Sequence, residues 1–142
     1  MSTSEDTQKL DTQTEAFRKD REHRKRALND DYLELIGDLI NETGEARTVD
    51  IANRLGVAQP TVTKVIARLK REEFVISEPY RAIYLTEKGK LIATKAKHKH
   101  QIIVSFLQAL GVEAAIAERD AEGIEHHVSE ETLQAFVTFL YP

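Results

Sequence analysis

The apolar positions along this chain change spacing several times, and each change marks an element. After an opening stretch in which Leu10, Ala16, Phe17, Ala27 and Leu28 are the apolar residues to bury, Leu28, Tyr32, Leu35, Ile36 and Leu39 recur at helical spacing. They predict a helix capped at Asn29 or Asp30 and running to about Thr43, stopped by Gly44. Residues 1–28, rich in Ser, Thr, Gln, Asp and Lys, predict a mobile polar extension in which Glu15 to Arg26 could be helical. Thr48 then caps a short helix, Val49 to Leu55, ended by Gly56, and a second helix runs from Pro60 to about Arg71. In that second helix Val62, Val65, Ile66 and Leu69 face inward. Two β-rich runs, residues 74–77 and 82–85, flank Glu78-Pro-Tyr-Arg81 and predict a hairpin. A long helix follows from Thr86 to about Leu110, with Ala93, Ala96, His100, Ile103, Leu107 and Leu110 forming a packing seam. Gly111 breaks it, an acidic helix covers Glu113 to about Val128, and Ser129 caps a last helix with Leu133, Phe136, Val137 and Leu140 as its apolar stripe.

The predicted fold is mainly α: a winged helix-turn-helix domain over residues 29–92, followed by an α-helical domain over residues 93–142. With 142 residues the chain can bury one core or two small ones, which leaves room for a small domain plus an oligomerisation element. The absence of cysteine removes disulfides, thiolate ligands and a cysteine nucleophile together. No apolar run approaches membrane-spanning length and the N-terminus has no signal-peptide core, so a cytoplasmic protein without membrane contact is expected.

The net charge of −4 hides its distribution: residues 1–29 carry +1, 30–46 carry −6, 47–99 carry +7 and 100–142 carry −6. A basic middle between acidic flanks suits a surface that meets a polyanion, with carboxylates gathered elsewhere for a cation. The outward face of the second short helix is small, hydroxylated and basic, as a helix entering a DNA major groove requires. Gln59, Pro60, Thr61, Thr63, Lys64, Arg68 and Arg71 are therefore the candidate DNA contacts, joined by Arg81 at the hairpin tip. Arg18, Lys19, Arg21, Arg24, Lys25 and Arg26 read first as a solvated charge run, with contact to DNA phosphates as the alternative.

The candidate chemistry lies in Glu122-Gly-Ile-Glu-His126-His127. On a helix, Glu122, Glu125 and His126 share one arc of about 100°, while Ile124 turns away. Such a set of oxygens with a nitrogen suits Mn²⁺, with Fe²⁺ close behind, and the missing thiolates argue against structural zinc. Glu118 and Arg119 share the arc, so on spacing alone a solvated amphipathic face remains open beside the metal reading. Asp31 and Glu34 likewise read either as first-turn acids favoured by the helix dipole or as groups facing another part of the protein. His100 interrupts an apolar seam, where a histidine is either a satisfied core residue or a ligand in a dry setting.

Taken together, Asp31-Tyr-Leu-Glu34, Asp50 through Lys64, Tyr84-Leu-Thr-Glu-Lys-Gly-Lys90, Lys99-His100 and Glu122 through Ser129 resemble the diphtheria-toxin-repressor family, specifically its manganese transport regulator branch. The resemblance covers about residues 29–140. It implies that Asp31, Glu34, His100, Glu122, Glu125 and His126 line a binuclear site for Mn²⁺, in a homodimer that binds palindromic double-stranded operator DNA and represses manganese uptake genes. It implies no enzyme activity and no small organic ligand. Iron-sensing relatives carry methionine in place of Asp31 and cysteine in place of Glu122, so carboxylates here harden the site. A metal-independent winged-helix repressor and a carboxylate-bridged di-metal hydrolase are the rival readings.

Overall fold

The computed structural model describes residues 2–142, and its first helix is longer than the apolar pattern implies. Helix α1 runs Ser2–Thr43. The start expected at Asn29 or Asp30 is absent, because the preceding residues contain neither proline nor glycine and nothing interrupts the backbone ladder. Asn29 serves instead as a buried tie, whose Nδ2 donates to Glu72 at 3.5 Å and whose Oδ1 accepts from Arg68 Nη2 at 2.6 Å. Lys25, one turn earlier, pairs with Glu72 at 2.7 Å. Polar contacts therefore fasten this part of α1 to the end of the third helix.

Helices α2 (Thr48–Leu55) and α3 (Gln59–Arg71) form the helix-turn-helix. Arg47, not Thr48, occupies the N-cap position of α2 and makes no side-chain cap bond. Gly56 ends α2 with φ of 68°, a left-handed conformation that a side chain would strain. The hairpin is shorter than expected: β1 (Val75–Ile76) pairs antiparallel with β2 (Tyr84–Leu85), in a register that sets Val75 opposite Leu85. Ile83 N–H donates to the Ala46 carbonyl at 2.7 Å, tying the wing back to the segment before α2. Tyr32, Leu33, Ile36 and Leu39 of α1 bury against Ile51, Val62, Ile66, Leu69, Val75, Ile83 and Leu85 in the first core. The buried arc of α1 is thus rotated from the expected one: Leu33 is fully buried, Leu35 only partly, and Leu28 is exposed.

Helix α4 (Glu87–Ala109) links the first core to the second. Thr86 caps it by accepting from Gly89 N–H at 3.1 Å. Ala93 packs in the first core, whereas Ile103 and Val104 join Ala117, Ala121 and Leu133 in the second. Helices α5 (Ala114–Ile124) and α6 (Glu130–Leu140) lie against the far half of α4. Phe106 of α4 stacks on Phe136 of α6 with ring centroids 4.0 Å apart. The α5 helix stops at Ile124 rather than near Val128, and Glu125, His126 and His127 form a turn. Ser129 caps α6, accepting from Thr132 N–H at 3.1 Å.

The tightest junction is at Gly89, where an added Cβ would collide with the carbonyl oxygen of Phe74. Neither side can yield easily, since the obstacle is a backbone carbonyl already held by the Thr86 N–H at 3.1 Å, and Gly89 lies in the first turn of α4. Gly89→Ala is expected to cost about 1–3 kcal/mol in chemical denaturation. Gly123→Ala, where a Cβ meets nothing within 4 Å, should instead leave stability within about 1 kcal/mol, on the stabilising side. Equal effects of the two substitutions would contradict this packing.

Candidate metal centre and DNA-reading face

Three elements bring titratable side chains to one place. Asp31 and Glu34 project from α1 just beside the residues that bury in the first core. His100 stands midway along α4, and α5 with its terminal turn supplies Glu118, Glu122, Glu125 and His126. The early end of α5 matters to this arrangement. Instead of lying on one helical arc with Glu122 and Glu125, His126 turns toward α1, and its Nε2 is 3.1 Å from Asp31 Oδ1. His127 follows it and stacks on His23 of α1, with ring centroids 5.0 Å apart.

Two trios of possible ligands result, Asp31–Glu125–His126 and His100–Glu122–Glu125. Glu125 belongs to both. One of its oxygens is 2.9 Å from His100 Nδ1 and the other 3.7 Å from His126 Nε2. Glu122 Oε1 lies 3.8 Å from His100 Nδ1. Glu34 is outside both trios but close enough for its charge to act on Glu125. Five of the six residues expected to gather therefore stand in cation-sized groups, and the sixth stands beside them.

The charges are under-compensated. Burial pushes the Glu125 carboxyl up from the usual 4.5 to about 7, and repulsion from Glu122 and Glu34 adds to this, while His100 partly offsets it. Asp31 is also raised, first by burial and then by Glu122 and Asp30, against the pull of His126. Glu34 is raised by burial and by Asp38 and Glu122. For His100, burial opposes the imidazolium, but hydrogen bonding to Glu118, the charge and hydrogen bond of Glu125 and the charge of Glu122 outweigh it and raise the pKa. Carboxylates that are costly to ionise when crowded, arranged about imidazole nitrogens, fit a divalent cation better than they fit one another. The donor set holds oxygen and nitrogen without sulfur, which suits Mn²⁺ or Fe²⁺.

Glu118, which spacing alone leaves on a solvated face, has Oε2 2.7 Å from His100 Nε2, within hydrogen-bond distance. Its four-residue spacing to Glu122 is the one signal in the sequence that ties it to the group. Asn29 and Glu72 are not distinguishable by pattern, because their roles depend on where α1 crosses α3.

On the reading face, Gln59, Pro60, Thr61, Thr63, Lys64 and Arg71 are all exposed along α3. Thr63 Oγ1 is tied to the Gln59 carbonyl at 3.1 Å, one turn earlier. Lys64 and Arg71 have no carboxylate partner among the described residues. Arg68 departs from the outward face expected of it, since its guanidinium is half-buried and donates to Asn29 on α1. Arg81 is exposed at the wing turn, with Nε 3.4 Å from Glu78 Oε2. A pair so open to solvent holds the guanidinium only weakly.

Comparison with known proteins follows this division. The iron-dependent repressor N-terminal DNA-binding domain matches residues 27–83, and the iron-dependent repressor metal-binding and dimerisation domain matches residues 86–141. A relative from Salmonella typhimurium strain LT2, named transcriptional regulator MntR, is 52% identical over 130 residues, covering 92% of this chain and 83% of that relative. The solved manganese regulator SloR superposes with a TM-score of 0.69 at 30% identity, covering 80% of this chain and 54% of its own. A manganese-dependent transcriptional repressor in complex with manganese superposes at 0.72 with 26% identity, covering 80% of this chain and 53% of its own. The chain thus spans about half the length of those two solved proteins. With both domains matched in order and a relative this similar over most of its length, the chain belongs to the iron-dependent repressor family, in its manganese transport regulator branch, and is a transcriptional regulator rather than an enzyme.

Proposed function

We propose that this regulator is a manganese-responsive repressor whose DNA-reading domain is fastened to its dimerisation helices by two cations. The observation that supports this is the sharing of Glu125 between two ligand groups, one completed by Asp31 from the reader's own helix and the other by His100 from α4. Asp31, Glu34, His100, Glu122, Glu125 and His126 would hold the ions. Bound divalent cations would supply the positive charge that this carboxylate group lacks.

Without that charge, Asp31 and Glu34 on α1 repel Glu122 and Glu125, and α1 is only loosely held to the turn after α5. Bound cations would offset that repulsion, so α1 would settle against the turn and the reader would take one orientation relative to α4, α5 and α6. In a two-fold dimer the two α3 helices must reach successive major grooves, roughly 34 Å apart. Restricting the reader's motion favours that spacing and hence a palindromic operator. Gln59, Pro60, Thr61, Thr63 and Lys64 would meet the groove, and Arg71 and Arg81 the phosphates or the adjacent minor groove. Residues 29–92 act as the reader and residues 93–142 as the metal and dimer module, with the cytoplasm as the place of action. The target genes are expected to be manganese importers.

Selection of bound fragments from a random duplex pool should enrich one palindrome with Mn²⁺ and none with chelator. Equal enrichment in both would favour a metal-independent repressor. Glu122→Ala should raise the Mn²⁺ concentration needed for half-maximal operator binding by more than about 10-fold, whereas an unchanged response would remove Glu122 from the site.

The raised groups also set a pH dependence for the metal-free protein. Glu125, Asp31, Glu34 and His100 all hold protons more tightly folded than unfolded, so each contributes stability that is present at low pH and lost as pH rises. For Glu125 the loss runs from pH 4.5 to about 7. The thermal midpoint without metal is therefore expected to fall as pH rises from 4.5 to about 7, and Mn²⁺ should stabilise more at the upper end, where protons no longer compete for the ligands. A flat or rising midpoint in chelator would contradict this electrostatic account.

A further inference from the structure

The ring nitrogen of His100 that faces Glu122 and Glu125, its partners in the ligand trio, is Nδ1. The opposite nitrogen, Nε2, is engaged by Glu118 at 2.7 Å. Glu118 lies outside both ligand trios, and its side chain is 61% exposed, whereas that of His100 is 13% exposed. We infer that Glu118 is a positioning residue for the second ion: its carboxylate accepts the Nε2 proton of His100, so the lone pair falls on Nδ1 and the ring plane is held toward Glu122 and Glu125. This rests on the proposed metal function and adds to it a seventh side chain that touches no ion.

The local geometry explains how one helix can do both jobs. Glu118, Glu122 and Glu125 follow at spacings of four and three residues, so they form one row along α5 and its terminal turn. His100 of α4 lies across that row, with Nε2 over the first member and Nδ1 over the last. A neutral imidazole has one donor and one acceptor nitrogen, and the acceptor is the one that can bind a metal. An orienting carboxylate on the other nitrogen also makes the ring a stronger base toward the ion. Glu118 pairs with His100, whereas Asp31 pairs with His126, so the effect of Glu118 is confined to the group containing His100.

The test is titration of the full-length protein with Mn²⁺, following free Mn²⁺ by electron paramagnetic resonance, for the wild type, Glu118→Ala and Glu118→Gln. Glutamine keeps an acceptor oxygen for Nε2–H but is a poor metal ligand, so it separates positioning from direct coordination. Glu118→Ala is expected to weaken one of the two binding steps by about 10- to 100-fold and leave the other unchanged, while Glu118→Gln recovers most of the lost affinity. Because Glu118 is exposed, the metal-free thermal midpoints of both variants should stay near that of the wild type at alkaline pH, where the His100 imidazolium no longer contributes. Unchanged binding by Glu118→Ala would overturn the inference, and so would Glu118→Gln weakening the step as far as alanine does. A wild type that binds no Mn²⁺ would instead sink the metal function itself, and this inference with it.

Discussion

The structure depends on one carboxylate that is expensive to keep charged. Glu125 is 6% exposed and stands between two histidines, with Glu122 and Glu34 near enough to repel it. In an apolar core such a residue would be replaced by a hydrocarbon side chain at little cost, because a buried ion pair is poor evidence for stability. Its two oxygens, aimed toward His100 of α4 and His126 of the turn, make sense as the centre of a group completed from outside. In the proposed mechanism, the cost of assembling like charges without a cation would make the assembled geometry conditional.

That condition is felt at a distance because α1 belongs to two structures at once. Tyr32, Leu33, Ile36 and Leu39 lie in the core of the DNA reader, while Asp31 and Glu34 look toward α4 and α5. The segment cannot move relative to the ion group without moving the reader. Asn29 strengthens the connection, since Arg68 of the recognition helix and Glu72 just beyond it both bond to its amide. In the proposed mechanism the coupling between sites would therefore be short and made of packed helix, with a population shift rather than a refolding event as its consequence.

Much of this is legible in the sequence. Gly44, Gly56 and Gly111 mark where helices stop because each adopts a positive φ, and Ser129 and Thr86 act as the caps their positions suggest. The inward face of α3 follows from spacing alone, and so does most of the α4 seam; Leu110, expected to close that seam, lies beyond the helix end at Ala109 and is 58% exposed, while Val104 buries beside Ile103. What spacing cannot supply is anything decided by the crossing of two elements. Arg68 is on the outward side of α3 by periodicity, yet Asn29 draws it inward. The polar opening segment continues α1 because it contains no residue that breaks a helix, although its composition suggests otherwise. The end of α5 at Ile124 moves His126 off the expected arc and onto Asp31. Glu118 looks like a solvated acid by pattern, and only the position of α4 places His100 over it.

In the proposed mechanism cations join α1 to the turn after α5 and so fix the reader. Hydrogen exchange measured along the full chain, with Mn²⁺ and with chelator, tests it most directly. Mn²⁺ is expected to slow exchange together in the part of α1 around Asp31 and Glu34 and in residues 125–128, the two segments that the ions would join. Protection confined to one of them, or absent from both while Mn²⁺ is demonstrably bound, would show that the ions do not bridge the two parts and would contradict the account.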